Sequence, residues 1–199
     1  MTARDDLKAQ LFGAFASRPA PAAGRILRSG AGHPEGDRLR ELLAAKTPAE
    51  LTDEELRTVV ESGLSMLTRE AFLHFLPAFL WASLASYDSV SIFASELLGA
   101  LTEPDRADVV KTLDRLARAA PALGLPDDVT QRLHGQQLEH FDSGRPTATF
   151  HERFDDLTHA EGAAILAFLV AFQESHGEDF PFDEIQIAID RRWSRYRAS

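Results

Sequence analysis

Between Thr68 and Ala85 the chain is apolar on every side. Phe72, Phe75, Leu76, Phe79 and Leu80 recur at three- and four-residue steps and form one stripe, while Leu73, Trp81 and Leu84 add bulk to the other faces. A helix of this pattern has no solvent side and belongs in the middle of its domain. Thr68 has the chemistry of an N-cap, and Glu70 falls in the first turn, where a carboxylate suits the positive end of the helix dipole. Pro77 lacks the amide that would donate to the Leu73 carbonyl, which predicts a bend. The stretch therefore predicts a central, proline-bent helix over about 68–85.

Helical periodicity continues almost everywhere else, and strand alternation is never sustained. Leu7, Leu11 and Phe15 predict a first helix over 3–16; Leu39, Leu42 and Leu43 predict another over 35–45. Thr47–Glu50, Thr52–Glu55 and Thr158–Glu161 each have the spacing of a capping box, in which a hydroxyl and a glutamate satisfy each other's free amides. Further helices are predicted over 53–63, 89–101, 104–119, 127–141, 149–156, 159–176 and 183–197. Residues 17–37 break the pattern with Pro19, Pro21, Gly24, Gly30, Gly32, Pro34 and Gly36 and read as a long irregular connection. The expected fold is all-α, one irregular multi-helix bundle over residues 1–199 and not a regular four-helix bundle.

The 199 residues include no cysteine, which excludes disulfides, thiol nucleophiles and thiolate metal sites. A net charge of −10 opposes bulk attraction to nucleic acid or an anionic membrane surface. The apolar window Ala71–Ala85 is shorter than the roughly 20 residues that span a bilayer. The polar start Met1-Thr2-Ala3-Arg4-Asp5-Asp6 is unlike a secretory signal, so the expected location is cytoplasmic.

Two blocks resemble a known family. Ser65–Leu80, reading SMLTREAFLHFLPAFL, is similar to the L-T/S-P-E-A-F-R-Y-F-L-P-A-F/Y-L block of a family of uncharacterised bacterial proteins. Arg153–Leu169, reading RFDDLTHAEGAAILAFL, resembles its R-F-x-x-L-T-x-x-Q-x-x-A-I-x-x-F-L block in order and spacing. That family is a domain of unknown function, so the resemblance implies no activity. Its members often carry a His-x-Cys-x-x-Cys-like stretch near the N-terminus. The corresponding segment here, Gly32-His33-Pro34-Glu35-Gly36-Asp37, has no cysteine and carries over no thiolate site.

Several constellations have the residue types that chemistry needs. His33, Glu35 and Asp37 place three potential metal ligands in a glycine-rich loop, although the two acids equally suit a helix start. Glu70 and His74 stand four apart, the spacing that lets a carboxylate orient an imidazole for proton transfer, with a helical acid and a core-edge histidine as the plainer reading. His151 and Asp155 repeat that spacing. No His-Glu-x-x-His, Glu-x-x-His, phosphate-binding loop, G-x-S-x-G elbow or EF-hand loop occurs. Arg191, Arg192, Arg195 and Arg197, interleaved with Trp193 and Tyr196, suit either an acidic partner or a helix end whose tryptophan packs inward; the second reading is favoured.

Taken together, these features predict a non-enzymatic helical protein that offers an acidic surface to a basic protein partner, as an immunity protein does to a basic toxin. No cofactor and no nucleic-acid partner are expected. The alternatives are a metal-assisted or acid–base enzyme using Glu70/His74 or His33/Glu35/Asp37, and a structural homo-oligomer.

Overall fold

The structure, a computed structural model, describes residues 2–28 and 34–197. Its helices are α1 (Ala3–Ala14), α2 (Pro34–Ala44), α3 (Asp53–Glu55), α4 (Arg69–Ala85), α5 (Tyr87–Leu101), α6 (Arg106–Ala119), α7 (Asp127–Asp142), α8 (Arg145–Phe154), α9 (His159–His176) and α10 (Glu184–Arg191). Among the described residues no β-strand forms, and the one β-bridge is an antiparallel pairing of Leu27 with Leu67. The fold is an all-α multi-helix bundle. No helix among the described residues is long and apolar enough to cross a membrane. The chain packs as two compact units, Met1–Thr102 with Asp156–Ser199, and Glu103–Asp155.

In the first unit α4 lies where its composition demands. Apart from Arg69, Glu70, His74, Trp81 and Ala85 it is buried along its length, packed against α1, α5 and α9. Thr68 caps it, its hydroxyl accepting from the Ala71 amide at 3.2 Å. Phe79 sits at the centre of an aromatic cluster, edge-on to Phe93 at 5.5 Å and to Phe72 at 6.3 Å. Burial of each such ring contributes about 1.5–3 kcal/mol. The helix continues through Pro77, because enclosure of this apolar rod outweighs the one lost hydrogen bond.

The connection after α1 is tied down at Arg18 and again from Arg25 to Arg28. The Arg18 side chain reaches Glu161, Ile26 is fully buried, the Thr68 amide donates to the Ile26 carbonyl at 2.9 Å, and the Arg28 amide to the Met66 carbonyl at 2.8 Å. The irregular segment is also shorter than expected. Helix α2 begins at Pro34, since proline's preset φ suits a first helical position and its missing amide is not needed there.

Helix α3 follows the Thr52–Glu55 capping box and runs on as a π-helical segment, Leu56–Val60, then a 3-10 segment, Glu61–Met66. The expected uniform helix over 53–63 is therefore longer and irregular. Gly63 explains the tightness there: a Cβ on it would stand 2.3 Å from Leu39 Cδ2. The predicted last helix over 183–197 also changes. Helix α10 stops at Arg191, Arg192 leaves helical geometry at φ −131° and ψ −49°, and Trp193–Tyr196 form a 3-10 turn. Trp193 is thereby fully buried, its Nε1 donating to the Leu101 carbonyl at 2.8 Å.

The second unit holds α6, α7 and α8. Asp105 caps α6 by accepting from the Ala107 amide, and Arg106 forks onto Asp142 at 2.8 and 3.2 Å. The break before α8 is tighter than residues 142–147 suggested. Gly144 takes the left-handed conformation, φ 73°, and Arg145-Pro146 already form the first turn of α8.

Candidate functional site

Glu70 and His74 share α4 but not a partner. Arg25 donates from Nη1 to Glu70 Oε1 at 2.9 Å, while His74 Nδ1 lies 3.2 Å from the Arg18 carbonyl, with its ring edge-on to Phe75. The carboxylate and imidazole are each committed to the 17–25 connection, and no hydrogen bond joins them. The pair as built does not orient an imidazole for proton transfer.

Of the three candidate metal ligands, His33 lies outside the described residues. Glu35 and Asp37 occupy the first turn of α2, and Asp37 pairs with Arg40 at 2.9 Å. Among the described residues no group of three histidine or acidic side chains is arranged to hold a metal ion. His151 and Asp155 do come together: Nδ1 stands 3.1 Å from Asp155 Oδ1, and Nε2 lies 3.6 Å from Glu103 Oε1. Asp155 thus braces the imidazole at Nδ1, while Glu103 lies near Nε2 beyond hydrogen-bond distance and the ring stays part-exposed.

The C-terminal arginine–aromatic segment is divided between core and surface. Trp193 and Tyr196 are buried and stacked at 6.1 Å, and Arg195 lies over the Tyr196 ring at 5.0 Å and donates to its hydroxyl. The aromatics needed to stack on a nucleic-acid base are consumed inside the fold.

A feature the sequence did not single out lies where α3 and its continuation meet the start of α5. Val90 leaves helical geometry at φ −132° and ψ 28°, so residues 88–92 bend into one wall of an open cleft of about 670 Å³. Asp53, Glu54, Arg57 and Glu61 form the other wall, and Asp88 and Ile92 complete it. Four carboxylates thus face one guanidinium. None of these five charged side chains forms an ion pair among the described residues. Glu61 Oε2 is shielded from solvent and accepts no hydrogen bond from the described residues. Ile92 is 66 % exposed at the rim. The sequence signal is two helix starts that carry acids, Asp53-Glu54-Glu55 in the first turn of α3 and Asp88 in that of α5, where a carboxylate also suits the helix dipole.

A neighbouring hollow is lined by Arg4, Tyr87 and His176. Tyr87 stacks on the His176 ring at 4.1 Å. Burial, followed by the nearby Asp179 carboxylate, raises the Tyr87 pKa above its ordinary 10.0, so the phenol stays protonated and is no nucleophile near neutral pH.

Comparison with protein-family models, with curated proteins and with solved structures finds no match to this chain.

Proposed function

We propose that this chain is a cytoplasmic, non-enzymatic protein-binding module whose acidic cleft receives a cationic segment of another protein. The observation that carries the reading is Glu61, which lines the cleft and whose Oε2 is shielded from water with no donor among the described residues, beside three further acids that form no ion pair among those residues. A shielded carboxylate oxygen without a donor costs free energy that an entering ammonium or guanidinium restores. Asp53, Glu54 and Asp88 attract such a group from a distance and speed encounter, and exposed Ile92 supplies an apolar contact beside the charge. The dispersal of Glu70 and His74 to different partners supports binding over acid–base chemistry. The family resemblance lies in residues 65–80 and 153–169, away from the cleft residues, and adds no activity to this reading.

The test is site-specific photo-crosslinking in extract of the native host. A photoreactive residue at Ile92 is compared with one at Leu123, which is equally exposed. The expected result is one dominant adduct at Ile92 that fades at about 0.5 M salt, where screening collapses to a few ångströms. The same adduct disappears when Asp88→Lys and Glu61→Gln are combined. Equal labelling from both positions, or labelling indifferent to salt and charge, overturns the proposal.

A further inference from the structure

A separate observation concerns the outer face of α9. From Gly162 to Phe172 the helix has no polar side chain. A helix apolar on all sides is normally enclosed. Here Val170 is 41 % exposed, and Ala163, Ala167 and Ala171 are only partly covered. They line a shallow groove of about 430 Å³, closed at one side by Tyr196. The alanines recur every fourth residue, the row along which one helix seats against another, and their small side chains permit close approach.

The occupant is chosen by charge. Glu174 and Arg197 are the charged residues of the groove. The Tyr196 ring lies over Gly162, where a Cβ would come within 2.3 Å of Cε1, so Arg197 enters from the N-terminal end of the helix. Glu174 lies about 18 Å farther along, at a rise of 1.5 Å per residue. The groove is therefore positive at one end and negative at the other. A two-fold axis through Ala167 inverts one groove upon another, setting Glu174 of each copy against Arg197 of the other and apolar face against apolar face. Such a self-complementary patch is what a closed two-fold dimer requires.

We propose that a second copy of this chain covers the face, giving an antiparallel α9–α9 dimer. The full chain is examined by sedimentation velocity from about 1 to about 200 µM, a range over which a dimer of ordinary strength populates by mass action. The wild type is expected to move from one-chain to two-chain mass as concentration rises. Glu174→Arg and Arg197→Glu each place like charges together and weaken association by about tenfold, whereas the double reversal returns it to within about threefold of wild type. Ala167→Glu, at a partly exposed position, holds the chain at one-chain mass with an unchanged circular dichroism spectrum. Asp88→Lys, in the cleft, leaves the mass unaltered, which separates this proposal from the preceding one. A wild type that stays at one-chain mass throughout overturns the proposal, even if Val170 crosslinks to a different protein. So does a double reversal that recovers nothing.

Discussion

Arg18 and Glu161 are joined by a two-pronged ion pair, Nε to Oε1 at 2.5 Å and Nη2 to Oε2 at 2.8 Å, across 143 positions of sequence. Glu161 is 1 % exposed and closes the capping box of α9 by accepting from the Thr158 amide at 2.8 Å and from its hydroxyl. One carboxylate thus starts α9 and anchors the connection after α1. Arg18→Ala strands this buried charge and is expected to cost about 3 kcal/mol, because loss of one partner leaves the other uncompensated. Glu161→Gln keeps the reach to the cap and should cost about half as much. Urea unfolding of the two variants tests the order; equal losses would contradict it.

The same pair sets an acid limit. Burial pushes the Glu161 carboxyl up, but hydrogen bonds from Arg18, then from the Thr158 backbone and hydroxyl, outweigh it and hold the pKa below the ordinary 4.5. A carboxyl depressed in the folded state contributes its stability fully above 4.5 and loses it as pH falls through the folded value. Glu55, held down chiefly by Lys46, adds to the same window. Melting temperature should therefore fall as pH drops below 4.5, with a shallower slope in Glu161→Gln. In Arg18→Ala burial is left less opposed, the carboxyl is depressed less, and its share of the acid loss should shrink.

Gly162 is required by the Tyr196 ring, which occupies the space of any Cβ. Gly162→Ala is expected to destabilise by about 1–3 kcal/mol through overpacking, against helix propensity, which favours alanine. Denaturant titration reads the sign: a gain in stability would show that the 3-10 turn moves aside freely.

The two tryptophans report on separate environments. Trp193 is fully buried, whereas Trp81 is partly exposed beneath Lys8, whose Nζ lies 5.1 Å from the ring centroid. Trp81→Phe should leave a blue-shifted emission that iodide does not quench, while Trp193→Phe leaves a red-shifted, quenchable one. Trp193→Phe should also cost about 1–2 kcal/mol, from a lost hydrogen bond and lost ring volume.

Glu70 and His74 are expected to act independently. A double-mutant cycle with Glu70→Gln and His74→Ala should give a coupling within about 0.5 kcal/mol of zero, the additivity of groups that share no partner. A larger coupling would restore the acid–base reading.

Much of the helical frame was legible because its signals are local. The Thr52–Glu55 and Thr158–Glu161 boxes, the Thr68 cap and the apolar run of α4 depend on residues a few positions apart, and each forms where its spacing placed it. What could not be read depends on remote neighbours. The break at Arg192 exists because Trp193 finds the Leu101 carbonyl, 92 residues away. Glu70 and His74 share a helix as their spacing implied, but Arg25 and the Arg18 carbonyl, delivered by a segment without periodicity, claim them separately. The cleft was hidden for a related reason. Asp53 and Asp88 each have a complete local explanation as helix-start acids, and only the kink at Val90 brings their surroundings together.

The division of the chain has a consequence for biogenesis. Glu103 and Asp155, the first and last residues of the second unit, both lie against His151, so the inserted piece has its entry and exit held on a single imidazole. The first unit, by contrast, is interrupted in sequence between Thr102 and Asp156. During translation its leading half must wait, with the landing places for α9 and Trp193 open, while the complete insert emerges and closes on itself. Until Asp156–Ser199 has left the ribosome, the apolar faces that α9 and Trp193 cover stay open to aggregation and to holdase capture.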